Sequence, residues 1–274
     1  MSDHHAAAPS VAPSRPRPGA GQILGELLLT AGVLVLLFVV YEAFWTNIAS
    51  GRLQAGVESR LEQAWSDGSG VVAGQPIPPL TPVPGEGFAR IHMPAIDIKY
   101  AVVEGVDGEN LRAGPGHYPA SQLPGEPGNF ALAAHRIGSG AAFQHLDGLE
   151  ACNAVVVETE YQWLTYRVLP LATDPAARAA AARNCLSPAQ TARVTDGDYA
   201  HLQGRRITLP GDVDVINPLP SAPWTAPGDD LESVATLTTC HPLFSNTERM
   251  IVHAMLVETI PKSSGGRPAA LQER

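Results

Sequence analysis

The chain has 274 residues, of which 45% are hydrophobic, and it contains 26 glycines and 25 prolines. Its formal net charge is −9 at pH 7, and it has no basic patch interleaved with aromatic residues, which argues against nucleic acid as a partner. The length leaves room for one sizeable domain with extensions at its ends.

The N-terminal part divides into a tail and an apolar segment. Residues 1–22 are rich in Ala, Pro and Ser and predict a disordered tail. Residues 23–45 are predominantly apolar, with no charge between Leu27 and Tyr41, and predict a transmembrane helix, since a span needs about 20 residues. A cleaved signal peptide is the alternative, but no clear Ala-x-Ala site follows.

The flanks of the apolar segment predict its orientation. Arg15 and Arg17 precede it, and the positive-inside rule then places the tail in the cytoplasm and the rest of the chain outside the cell. Residues 46–87 predict an extracellular linker, helical in spacing over 52–65 and rich in Gly and Pro over 67–87. We expect this linker to hold the following domain away from the membrane.

Residues 88–260 predict a folded domain that is mainly β, and residues 261–274 a disordered C-terminal tail. Short strands are expected over residues 128–134, 154–159 and 166–169. An insertion over about 172–205 then interrupts the pattern. Asp174 as N-cap and Pro175 in the first turn predict a short helix over 175–184 within it.

The last two strands carry the residues of greatest chemical interest. Residues 234–239 are rich in β-branched side chains, and Pro242 ends this strand because proline cannot donate to a β-ladder. Residues 249–257 are apolar on both faces and predict a buried strand that starts at Arg249. If the two strands are neighbours, Cys240 and Arg249 lie at the same end of the sheet.

A histidine in a comparable position completes a candidate site for acyl chemistry. A thiolate that attacks a carbonyl needs a group that handles protons and donors for the oxyanion. His135 follows the predicted strand 128–134 and precedes a glycine-rich loop, so it also lies at a strand end. Taken singly, each residue has a simpler interpretation, with the cysteine as a small buried hydrophobe and the histidine as a packing residue.

With these residues in this order, the chain resembles the sortase family, and most closely the class E sortases of high-GC Gram-positive bacteria. The resemblance implies a closed eight-stranded β-barrel with short helices, and it identifies His135, Cys240 and Arg249 with the catalytic residues of the family. The residue before the histidine is usually glycine in this family and is Ala134 here. The matching segments run in order over roughly residues 88–258: Gly114–Pro119, Pro124–Asn129, Ala134–Arg136, Phe143 with Leu146–Leu149, Val155–Thr159, Tyr166–Val168, Thr236–Pro242 and Arg249–His253.

The resemblance also implies an activity. The Cys240 thiolate would cleave a Leu-Ala-x-Thr-Gly or Leu-Pro-x-Thr-Gly sorting signal between Thr and Gly, and the thioester would pass to an amine of a cell-wall precursor. The partners are then secreted proteins with a C-terminal sorting signal and a peptidoglycan precursor amine. No cofactor and no metal are expected.

Each site residue then has an expected role. His135 protonates the leaving amine and later accepts a proton from the incoming one, and Arg249 stabilises the oxyanion or grips the signal backbone. Thr239 is expected to give the substrate a backbone or hydroxyl hydrogen bond. We interpret the insertion as a tolerated surface feature, with a specificity lid as the alternative.

Two other functions are alternatives to this one. A non-catalytic, membrane-anchored peptide-binding module with the same barrel remains the alternative. A papain-like hydrolase is disfavoured because its cysteine precedes its histidine in the chain.

The three cysteines suggest one disulfide. Cys152 lies before the predicted strand 154–159, and Cys185 ends the helix of the insertion. Because the outside of the cell permits disulfides, we predict a bond between Cys152 and Cys185 that leaves Cys240 free.

Overall fold

The computed structural model describes residues 19–67, 76–138 and 140–273, so most of the predicted tail 1–22 and residues 68–75 of the predicted linker lie outside it. The described residues form four α-helices: α1 (Ala20–Asp67), α2 (Asn110–Ala113), α3 (Pro175–Ala182) and α4 (Pro188–Thr195). They also form nine strands: β1 (Gly87–Met93), β2 (Ile98–Glu104), β3 (Gly116–His117), β4 (Gly128–Ala133), β5 (Ala154–Glu158), β6 (Gln162–Val168), β7 (Arg205–Thr208), β8 (Ser233–His241) and β9 (Glu248–Pro261).

Eight of the strands close into a barrel. Each strand is paired with the next in the order β6-β5-β1-β2-β3-β4-β8-β9, and β9 pairs back with β6. The 14-residue β9 is long enough to pair also with β7, through its residues Arg249–Val252. The predicted closed eight-stranded barrel with short helices is confirmed.

The core of the barrel explains the apolar runs in the sequence. Phe130 and Leu132 of β4, Leu237 of β8 and Val252 of β9 are all 1% exposed or less and belong to one cluster. β4 and β8 are parallel neighbours in the middle of the sheet, with Ala133 opposite Thr238. Because parallel strands point the same way, the C-terminal ends of β4 and β8 lie together at one edge.

The first turns of α1 are long and apolar enough to cross a membrane. Residues 20–41 have a mean hydropathy of 2.6, and none of these residues is buried. The chain divides into one unit that ends at Ala43 and a second that starts at Phe44.

The last turns of α1 belong to the second unit and pack on the barrel. Val57 and Leu61 are each 2% exposed and contact Ala101 and Val103 of β2. The part of the predicted linker 46–87 that extends to residue 67 is therefore a helix docked on the barrel. The helical spacing of apolar residues in 52–65 provides the face that the barrel covers.

Leu61→Ala should lower the free energy of unfolding by about 2–4 kcal/mol, because it removes a buried side chain and leaves a cavity. Leu53 lies on the same helix but is 46% exposed, so Leu53→Ala is the matched control and should change stability by less than about 1 kcal/mol. Thermal unfolding of the full chain in mild detergent measures both. Equal effects of the two substitutions would show that this part of α1 is not docked.

A charged cluster fixes the same turns of α1. Arg90 of β1 pairs with Glu58 of α1 and, at 2.7 Å, with Glu158 of β5. Arg90 and Lys262 also lie over the ring of Trp65, at 5.0 and 4.2 Å from its centroid. Glu158 therefore connects the helix, the barrel and the C-terminal segment through its partners.

The carboxylate of Glu158 should make stability depend on pH. Burial alone would raise its pKa, but hydrogen bonds from His92, Lys262 and Arg90 outweigh burial and lower the pKa from 4.5 to about 2. Because the folded-state pKa lies below the unfolded one, the stabilisation, on the order of 3 kcal/mol, is present above pH 4.5 and is lost as the pH falls toward 2.

This loss can be measured as a slope of the unfolding temperature against pH. Between pH 4.5 and about 2 the wild-type unfolding temperature should fall more steeply than that of Glu158→Gln, which has no carboxylate to protonate. Parallel slopes for the two proteins would contradict the assignment.

The insertion folds as a small helical layer on the barrel. The side chain of Asp174 accepts a hydrogen bond from the backbone N–H of Ala177 at 2.9 Å and so caps α3, as its position in the sequence predicts. Val194 and Tyr199 pack with Val234 of β8. Val234 is six residues before Cys240, or about 20 Å along the strand, so the layer packs away from the cysteine and the structure favours a surface insertion over a lid.

The C-terminal segment differs from its prediction. Ala270 is 3% exposed and packs with Trp163 of β6, and Glu273 accepts two hydrogen bonds from Arg167 at 2.5 and 2.8 Å. The expected disordered tail over 261–274 is therefore wrong for the described residues. Lys262 also contacts Trp65 and pairs with Glu158, and none of these contacts makes a periodic pattern in the sequence.

Cys152 and Cys185 form a disulfide in the structure, and Cys240 is free. The bond joins residues 33 positions apart, and closing a loop of this length stabilises the fold by about 3–4 kcal/mol in the chain-entropy model. We expect thiol titration of the denatured, unreduced chain to find one thiol per molecule. A count of three would contradict the bond.

Candidate active site

Cys240 and Arg249 lie on adjacent strands at one end of the barrel. In the antiparallel pair of β8 and β9, Cys240 is directly opposite Arg249. Side chains of opposed residues point to the same face of a sheet, so the thiol and the guanidinium project to the same side. Both residues are partly exposed, as a reactive thiol requires.

The Arg249 guanidinium has partners in the turn between β8 and β9. It donates hydrogen bonds to the carbonyl oxygens of Asn246 and Glu248, each at 2.9 Å. Both bonds use Nη1, which leaves Nη2 as the further donor toward a substrate. These two bonds hold the guanidinium in the turn that follows Cys240.

His135 lies just beyond the end of β4, the parallel neighbour of β8. Its imidazole is half-buried, and burial, together with the positive charge of Arg112 on α2, lowers its pKa below 6.5. The ring is therefore neutral at pH 7 and can accept a proton. Because β4 and β8 end at the same edge, the histidine and the cysteine come together there.

One cavity contains both residues. It has a volume of about 470 Å³ and is open to solvent on one side. Its lining includes His135, Arg136, Ile137, Cys240, Pro242 and Phe244. The structure thus brings two of the predicted catalytic residues into one cavity, with Arg249 paired to Cys240 from the next strand.

Thr239 occupies a different position from the expected one. It is 3% exposed, and its hydroxyl donates to the carbonyl oxygen of Ala134 at 2.8 Å. The hydroxyl is therefore not directed at substrate but ties the residue before Cys240 to the residue before His135. The expected hydroxyl hydrogen bond to the substrate has no support in the structure, and the backbone alternative stays a prediction.

The position of Ala134 accounts for a methyl group where the family pattern has glycine. Ala134 is 5% exposed, belongs to the barrel core and donates its backbone N–H to the Thr238 carbonyl at 3.1 Å. A side chain at this position points into the core, away from the cavity.

Two further residues of the site were not found from the sequence. Arg136 Nη1 donates to Nδ1 of His241 at 2.8 Å, and Nη2 donates to Asp147 at 3.0 Å. Each of the two residues directly follows a predicted catalytic residue, and this adjacency was the available signal.

Comparison with known proteins places this site in a family. A family model described as a sortase domain matches residues 91–257, which include His135, Cys240 and Arg249. Sortase SrtE1 of Streptomyces coelicolor is 30% identical over 267 residues, covering 93% of this chain and 63% of the relative. Sortase SrtE2 of the same organism is 38% identical over 172 residues, covering 57% of this chain and 67% of the relative. The chain thus spans less than two thirds of the length of the first relative.

Solved structures show the same fold. The SrtF sortase from Corynebacterium diphtheriae is 50% identical with a TM-score of 0.70, covering 73% of this chain and 98% of that chain. Sortase E1 from Streptomyces coelicolor, solved with a tripeptide in its active site, is 28% identical with a TM-score of 0.50, covering 70% of this chain and 99% of that chain. The similarity therefore extends over nearly the whole of both solved chains.

Proposed function

Since the chain belongs to the sortase family, with class E sortases among its relatives, we propose that it is a cysteine transpeptidase that cleaves a sorting signal between Thr and Gly. The observation that carries the proposal is the free Cys240, opposite Arg249 and in one cavity with His135. This set supplies a nucleophile, a group that transfers protons and a permanent cation, which acyl transfer requires.

The neutral state of His135 sets the order of proton transfers. The imidazole accepts the thiol proton of Cys240 as sulfur attacks the threonine carbonyl, and it becomes an imidazolium. The imidazolium then gives this proton to the leaving glycine amine as the C–N bond breaks and the thioester forms. An incoming amine gives a proton to His135 when it attacks the thioester, and this proton passes to the Cys240 sulfur as the C–S bond breaks, which restores the thiol and the neutral imidazole.

Arg249 stabilises the negative charge that develops on the oxygen of the attacked carbonyl. Its guanidinium carries a positive charge, and its donors other than Nη1 are available to the tetrahedral oxyanion or to the signal backbone. Anchoring by the Asn246 and Glu248 carbonyls reduces the rotamer freedom lost on binding.

We propose that the enzyme works at the outer face of a membrane. The apolar helix over 20–41 supports a single-pass anchor, and Arg15 and Arg17 before it support a cytoplasmic N-terminus. The catalytic domain then meets secreted proteins that carry a sorting signal and a peptidoglycan precursor that supplies the amine.

Product analysis tests the proposal. The full chain in detergent is incubated with glycinamide and with either a Leu-Ala-x-Thr-Gly or a Leu-Pro-x-Thr-Gly peptide. We expect release of the glycine fragment and a new amide between threonine and glycinamide, with the Leu-Ala peptide preferred. Failure to cleave either peptide, by folded protein whose Cys240 titrates as a free thiol, would support the non-catalytic binding module.

A further inference from the structure

Arg136 is a buried cation in the wall of the Cys240 cavity. Its side chain is only 6% exposed, and its Nε has no hydrogen-bond partner among the described residues. Among the residues that the structure describes, its one carboxylate partner is Asp147, which is half-exposed. Burying a charge with so little compensation costs free energy, which suggests a role other than stability.

The guanidinium connects the two strand ends that carry the catalytic residues. Backbone pairing between β4 and β8 ends with the hydrogen bond from the Ala134 N–H to the Thr238 carbonyl. The Thr239 hydroxyl then donates to the Ala134 carbonyl. Beyond them, the next described connection is the 2.8 Å bond from Arg136 to His241. It joins the residue after His135 to the residue after Cys240.

The chemistry of this bond fixes the state of the His241 ring. A guanidinium can only donate, so Nδ1 of His241 accepts and carries no proton. The ring is then neutral with its proton on Nε2, which faces Glu248 at 3.9 Å. Arg136 thus requires a particular tautomer of the residue that follows the nucleophile.

Arg249 does not make this connection. Its hydrogen bonds go to Asn246 and Glu248, within the turn between β8 and β9. The two arginines therefore act on different contacts. Arg249 orders the turn after Cys240, whereas Arg136 holds the cysteine strand against the histidine loop.

We propose that Arg136 is a positioning residue of the transpeptidase: through its contact with His241, it fixes Cys240 relative to His135. The inference rests on the proposed function for its catalytic readout.

A double-mutant cycle tests the contact in the full chain in detergent. Arg136→Met and His241→Ala should each lower kcat for thioester formation by about 10- to 100-fold, while KM changes less than about 3-fold, because misplacement of reacting groups acts on the chemical step. If the two residues act through one contact, the double variant should be no slower than the slower single variant. Arg136→Lys, which keeps the charge and one donor, should recover part of the rate.

Arg167→Met is the matched control. Arg167 also pairs with a carboxylate, Glu273, but it lies on β6 and does not line the Cys240 cavity. It should leave kcat at the wild-type value. Thermal unfolding of every variant shows whether a slow one is still folded.

A second readout does not depend on peptide cleavage. Cys240 is the free thiol, so the profile of its alkylation by iodoacetamide over time, at one fixed pH, reports how well His135 is placed to take its proton. Arg136→Met and His241→Ala should both slow this alkylation profile, and Arg167→Met should not. If the wild type alkylates but cleaves no peptide, the proposed function fails while this comparison still decides the role of Arg136.

Two results would overturn the inference. One is a folded Arg136→Met variant with the wild-type kcat, or with the wild-type alkylation profile where no cleavage occurs. The other is a double variant whose rate loss equals the product of the two single losses, since independent effects exclude a shared contact.

Discussion

Cys240→Ala should abolish thioester formation, with a loss of at least about 10³-fold in the rate of peptide cleavage. No other thiol is available to replace it, because Cys152 and Cys185 are bonded to each other. The alanine side chain fits wherever the cysteine fits, so the barrel should remain folded. Chromatography of the peptide mixture after incubation measures the loss.

A matched control separates the nucleophile from the other cysteines. Replacing Cys152 and Cys185 together by serine removes the disulfide but keeps Cys240. This variant should unfold at a lower temperature and still cleave the peptide. Cleavage by Cys240→Ala at more than about a hundredth of the wild-type rate would rule out covalent catalysis by this residue.

His135→Gln should lower kcat by about 10²- to 10⁴-fold, because the amide cannot take the thiol proton or protonate the leaving amine. Since burial and Arg112 lower the pKa of His135, the wild type should keep its activity to a lower pH than an ordinary histidine would allow. Below that pKa the imidazole is already protonated and cannot accept the thiol proton. The pH profile of kcat/KM, which reports the ionisable groups of the free enzyme, measures this limb.

His145→Gln is the control for this substitution. His145 is exposed, follows the same loop and does not line the cavity, so it should leave kcat and the pH profile of kcat/KM unchanged. A His135→Gln variant that keeps the wild-type kcat would contradict the assigned proton transfer. So would an activity that disappears well above pH 6.5 as the pH is lowered.

The strand-end positions of His135, Cys240 and Arg249 could be inferred from the sequence because each depends on local pattern. β-branched and apolar runs predict β4, β8 and β9, and Pro242 predicts the end of β8. The pairing of Cys240 with Arg249 needed only that β8 and β9 be neighbours, which a short turn favours. The resemblance to a family supplied the barrel that joins these strands.

The contact between Arg136 and His241 could not be inferred in the same way. The two residues are 105 positions apart, and their meeting depends on the parallel register of β4 and β8. Local propensity contains no information on register between strands so far apart in the chain. The hydroxyl contact of Thr239 could not be inferred for the same reason, because the hydroxyl donates to the Ala134 carbonyl across that pairing.

The docking of the predicted helix in the linker and the order of the C-terminal segment could not be predicted for a different reason. The spacing of Val57 and Leu61 predicts a helix but does not say that the barrel offers a complementary surface. Two residues such as Ala270 and Glu273 are too few to make a periodic sequence pattern, yet each contacts a residue of the folded barrel. Tertiary contacts decided both segments, and composition alone favoured solvent exposure.

Intact mass spectrometry of the full chain, quenched in acid soon after mixing with a sorting-signal peptide, tests for a thioester at Cys240. We expect a mass increase equal to the acyl fragment that ends in threonine. Peptide mapping should place this fragment on Cys240, and an added amine should remove it. An adduct on another residue, or cleavage of the peptide with no adduct even when the amine is withheld, would contradict a thioester at Cys240.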